Sequence, residues 1–154
     1  MYPTLMTRKP INIETSELRK RVRMTIDRSR RAATARRAQL DAAAAAYKEL
    51  LEATAAPLVR MLANVLLAEG YAFTVFTPNG GLRMASAKSG EDFIEFALDT
   101  SQAEPFVVLR VNQARGRRVL QHERPVKGRT AVDAVTEEDV LQALLEELIP
   151  FIER

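Results

Sequence analysis

The chain of 154 residues contains no cysteine and no tryptophan, and its only histidine is His122. Without thiols there is no disulfide staple, no thiolate zinc site and no cysteine nucleophile. One histidine cannot build a zinc site unless carboxylates supply the remaining ligands. Its setting, His122-Glu123-Arg124, is not the His-Glu-x-x-His of a metalloprotease, and no serine sits in a nucleophile elbow. His122 therefore reads as an ordinary strand histidine. Aromatic residues are only 6% of the chain, and the segment around Arg115, Arg117 and Arg118 lacks those that would form a base-stacking platform. Glycines are scarce as well: Gly80-Gly81 and Gly116 lie in turn contexts and lack the Lys-Ser/Thr of a phosphate loop. No catalytic residue, cofactor or metal is assigned, and a non-enzymatic protein is expected.

Long apolar runs are also missing. Met1 to Pro10 lacks the apolar stretch of a secretory signal. The longest apolar-rich stretch, Ala53 to Ala68, carries Arg60 and Asn64 and is too short to span a bilayer. The expectation is a cytoplasmic protein with no membrane partner.

What the chain does have is apolar material for one core, at 47% hydrophobic residues, and a divided charge. Residues 1–40 hold 11 Lys/Arg against 3 Asp/Glu, giving +8; residues 41–154 hold 12 against 17, giving −5, and together these make the net +3. A basic extension on a mildly acidic body points to an anionic partner, either nucleic acid or an acidic protein surface.

Residues 1–13 contain Pro3 and Pro10, show no periodicity and read as a flexible or partner-ordered tail. Residues 14–56 read as a basic, Ala-rich helical arm beginning near Ser16. Thr15 and Ser16 are N-cap types, and from there no Gly or Pro occurs until Pro57. At about 1.5 Å per residue such a helix is roughly 58 Å long, longer than a body of the remaining residues, so part of it should lie under another chain. Pro57 either kinks one helix or opens a second. Residues 57–154 read as a small α+β domain: a helix over 57–69, an antiparallel β-meander of four or five strands over 71–124, and a closing helix over 137–152. Pro78-Asn79-Gly80-Gly81 is the strongest turn, since Asn-Gly tolerates two positive φ angles. Thr136 is the expected N-cap of the last helix, with Glu137, Glu138 and Asp139 in its first turn.

Three groups of residues are candidates for function. Arg19, Lys20, Arg21, Arg23, Arg28, Arg30, Arg31, Arg36 and Arg37 surround the arm, and phosphate binding needs only such charge density. Arg115, Arg117 and Arg118 occupy a hairpin tip. Leu40, Ala43, Tyr47 and Leu50 form a coiled-coil-like stripe suited to a protein interface. The carboxylates Glu91, Asp92, Glu95 and Asp99 resemble an acid–base or Mg²⁺ set, but the polar outer face of a sheet has the same pattern. Two functions follow. The first is an accessory or scaffolding subunit that self-associates or docks on a larger protein. The second is a protein that contacts DNA or RNA phosphates through the basic helix and hairpin tip.

Overall fold

The computed structural model describes residues 9–153. Of the expected tail, residues 1–8 lie outside the described residues, and residues 9–14 have no regular structure. The chain divides into two compact units, Met1–Ala38 and Gln39–Arg154.

In the first unit every residue from Thr15 to Ala38 is helical and exposed. These residues belong to α1, Thr15–Leu50. The Leu18 N–H donates to the Glu14 carbonyl at 2.9 Å, so the helix opens one residue before the expected Ser16.

In the second unit, α1 leads through a π turn, Leu51–Ala55, into α2, Ala56–Ala68. The turn answers the question posed by Pro57. The Ala56 N–H donates to the Leu51 carbonyl, five residues back, so the helix widens just before the residue that has no N–H to give. Pro57 then falls in the first turn of α2, where the ring is tolerated. By length and composition the helix Thr15–Ala68 includes a segment apolar enough to cross a membrane. Leu50, Leu51, Ala55, Val59, Leu62, Ala63 and Leu66 along it are buried in this unit's core.

Five antiparallel strands follow in the order β1-β2-β3-β4-β5: Phe73–Phe76, Leu82–Ser86, Phe93–Asp99, Phe106–Arg115 and Arg118–Pro125. Every connection is therefore a hairpin between neighbours, as the alternating strands and turn residues indicate. At the first, Asn79 (φ 49°) and Gly80 (φ 76°) both take the left-handed conformation that Asn-Gly allows, and the Gly81 N–H closes on the Pro78 carbonyl at 2.8 Å. Register places Met84 opposite Ile94 and Ile94 opposite Val111, with Phe96 opposite both Leu82 and Leu109. These side chains share one face, and α2 and α3 (Glu137–Ile152) pack on it. Burying each of these large apolar side chains contributes about 1.5–3 kcal/mol. Phe73 meets Phe151 of α3 edge to face, with ring centroids 6.3 Å apart. The result is a two-layer α+β unit with a five-stranded meander.

Candidate functional site

All nine cations singled out on the basic helix, from Arg19 to Arg37, lie on exposed turns of α1. A run without Gly or Pro, rich in Ala and Arg, holds them in regular helix. Arg21 Nε donates to Glu17 Oε1 at 3.2 Å, a surface pair worth about 0.3–0.5 kcal/mol. Among the described residues no carboxylate pairs with the other eight. Thr25 and Thr34 turn their hydroxyls back onto the Arg21 and Arg30 carbonyls, at 2.9 and 3.0 Å. The surface between the cations is thereby left without free hydroxyl donors at those two positions.

The second basic group sits where β4 turns into β5. Arg115 and Arg118 face each other in the register, and Gly116-Arg117 makes the turn, Gly116 at φ 62°. Arg115 Nη2 donates to Gln113 Oε1 at 3.4 Å. Among the described residues Arg117 and Arg118 have no ion pair. Three cations further from the tip are neutralised locally, whereas Arg129 has no ion pair among the described residues. Arg110 Nε donates to Glu123 at 2.8 Å, Arg124 pairs with Glu146 and lies 3.9 Å from Glu147, and Lys127 is 3.2 Å from Asp139.

The stripe expected to serve as a protein interface is occupied within the chain. Leu50 belongs to the core, Ala43 and Tyr47 pack against it, and Leu40 is half-buried. The physical reason is continuity. The π turn carries the helix on to Ala68, so the apolar side of residues 43–50 extends the side that covers the sheet. Burial pushes the Tyr47 hydroxyl up to about 12, with Glu95 adding to the rise and Arg110 opposing it.

No protein-family model, curated protein or solved structure matches the chain.

The acidic residues do not converge. Glu95 accepts from Arg83 at 3.2 Å, whereas Asp99 accepts from the Ser101 N–H and hydroxyl at 2.9 and 2.6 Å. The Ser101 hydroxyl and N–H hold the Asp99 carboxyl below its ordinary range. Asp92 is buried and accepts from the Ala114 N–H at 2.7 Å, stapling the β2–β3 turn to β4. Among the described residues no cluster of three or more metal-ligating side chains occurs. His122 does not pair with its neighbour Glu123, because strand alternation sends the two to opposite faces. Its Nε2 lies 2.9 Å from Glu147 Oε2 of α3.

The face of the sheet away from the helices holds a groove of about 430 Å³ lined by Phe93, Glu95, Arg110, Asn112, Gln121 and Glu123. Arg83 stacks over the Phe93 ring at 3.9 Å, and Gln121 donates to Asn112 Oδ1 at 2.7 Å. Apart from Glu95 and Arg110, these residues do not stand out in the sequence. Their only signal is shared strand parity, which any polar sheet face produces. The groove's charges are matched pairwise, Arg83 with Glu95 and Arg110 with Glu123. Among the described residues, eight cations of the basic helix and Arg117 and Arg118 of the hairpin tip have no ion pair, as is also true of the scattered Lys48, Arg60, Lys88 and Arg129.

Proposed function

We propose that this chain is a non-enzymatic accessory protein that docks on a larger, anionic partner through the basic helical segment of residues 15–38. One observation carries this reading: eight of the nine cations there are exposed and, among the described residues, have no carboxylate partner. Left in water they gain little, and against an acidic surface they gain charge-assisted pairing. The sheet unit, with its own apolar core, serves as the folded body that carries this segment. A cytoplasmic setting goes with the proposal, supported by the absence of cysteine.

A second reading, binding to DNA or RNA, is favoured by the distribution of charge. The cations lie on all sides of the helix, and Arg117 and Arg118 add unpaired charge at the hairpin tip. Contacts to a phosphate backbone require density of this kind rather than a single stereochemistry.

Titrating the full chain against an acidic protein polyanion and against duplex DNA and RNA, over a series of salt concentrations, tests both. Affinity for duplex that falls steeply and linearly in log–log form, with no comparable protein-polyanion binding, selects phosphate contacts. The reverse order selects the protein partner. No binding to either at low salt sinks the docking proposal.

A further inference from the structure

The basic helix has a second order beneath its charge. Val22, Ile26, Ser29 and Ala33 succeed one another at spacings of four, three and four. On a helix this spacing forms one stripe, the seam of a coiled coil. Arg19 and Arg36 hold the next positions of the stripe at either end; between them it is uncharged, and its two large members are open, Val22 at 48% and Ile26 at 43% exposure. Ser29 and Ala33 are small, which leaves room for large apolar knobs from a facing helix.

The flanks of this stripe differ. Arg23, Arg30 and Arg37 recur every seven residues, each one position after a seam position, so they form a row along one side. The other side carries Thr25 and Ala32, also seven apart and uncharged. The one acid between Arg19 and Arg37 is Asp27, whose helical position faces away from the stripe. In coiled coils the residues flanking the seam choose the partner and its direction.

These positions argue against a second copy as the occupant of this stripe. Parallel self-pairing sets the arginine row against Thr25 and Ala32, and antiparallel self-pairing sets arginine against arginine. Neither supplies a counter-charge, and like charges across a helix pair repel. A phosphate backbone would satisfy the cations on any side but would leave Val22 and Ile26 in water.

We infer that the segment from Val22 to Arg37 is a coiled-coil seam for an acidic helix of another protein. That helix is apolar along its contact stripe and carries Glu or Asp every seven residues opposite Arg23, Arg30 and Arg37. This inference rests on the docking proposal above and specifies the partner that proposal leaves general.

Three synthetic peptides of about three heptads each test it on the full chain by fluorescence anisotropy. The first has an apolar seam flanked by Glu, the second the same seam flanked by Lys, and the third keeps the Glu content with the apolar residues moved off the seam. The Glu-flanked peptide binds, the Lys-flanked peptide does not, and the displaced-seam peptide binds about tenfold or more weakly. Arg23→Glu, Arg30→Glu and Arg37→Glu together weaken binding of the Glu-flanked peptide and strengthen binding of the Lys-flanked one. Across three flanking pairs this amounts to about tenfold or more each way. Val22→Ser with Ile26→Ser weakens the Glu-flanked peptide, while circular dichroism shows the helix retained.

Equal binding of the ordered and displaced-seam Glu peptides overturns the seam but leaves docking on an anionic partner standing. Duplex binding without peptide binding replaces the acidic helix with nucleic acid. A dimer that Val22→Ser with Ile26→Ser dissociates, seen by light scattering, makes the occupant a second copy and overturns the inference. No binding to peptides or duplex at low salt overturns the inference and the docking proposal together.

Discussion

Thr136 and Asp139 cap the last helix reciprocally: the Asp139 N–H donates to Thr136 Oγ1 at 3.1 Å, and the Thr136 N–H donates to Asp139 Oδ2 at 2.9 Å. Two amides that open a helix, and would otherwise need water, are satisfied by two side chains three residues apart. Thr136→Ala should therefore cost about 1 kcal/mol, seen as a lower denaturant midpoint at unchanged slope. A loss near zero would mean that water replaces the cap at no cost.

The same cap sets an acid dependence. The Thr136 N–H holds the Asp139 carboxyl below its ordinary range, with Lys127 adding to the effect. A folded-state value below the unfolded one gives stability that is present above the ordinary aspartate range, about pH 4. It is lost as pH falls through the depressed value. Asp139→Asn should flatten that part of the acid limb in a pH series of unfolding midpoints. A limb unchanged by the substitution would place the linkage on other carboxylates.

Tyr47 sets the alkaline side. Its hydroxyl is raised from the ordinary 10.0 to about 12, first by burial and then by Glu95. The neutral phenol therefore stabilises the fold fully below about pH 10, and the contribution is lost as pH rises through the folded value. A tyrosinate absorbance titration should show one late step, absent in Tyr47→Phe. The variant should also resist alkaline unfolding better than the parent.

Leu144 is fully buried in the core beneath the sheet. Leu144→Ala strips away most of that packing and leaves a cavity, at a cost of about 2–5 kcal/mol. Chemical denaturation measures this directly. A loss below about 1 kcal/mol would show that the helix α3 settles into the space.

Charge reversal separates binding from folding on the basic helix. Changing Arg28, Arg30, Arg31, Arg36 and Arg37 to Glu should leave the circular dichroism signal unchanged, because all five are exposed and Glu is as good a helix former as Arg. Affinity for an anionic partner should collapse. For duplex, the salt slope should also fall by about one for each phosphate that is no longer neutralised. Retained affinity would move the binding surface away from this helix.

Local chemistry made much of this fold legible. The strand Phe93–Asp99 and the helix Glu137–Ile152 begin and end where alternation, period and capping residues say they should. Asn79-Gly80 turns as its tolerance of positive φ requires. Each of these is decided by hydrogen bonds and sterics within a few residues of sequence. The basic helix was equally plain, because charge is counted without folding anything.

Only the tertiary structure decided how these parts are used. The stripe Ala43, Tyr47 and Leu50 looks the same in sequence whether it meets another chain or its own sheet, and here it packs on the chain's own core. His122 stands beside Glu123 in sequence, yet its partner is Glu147, 25 residues on. Arg110 is one more cation near a basic tip until register sets it against Glu123. Composition and local pattern determined the elements and the charge; long-range packing determined which side chains were consumed in building the body and which cations were left exposed and unpaired.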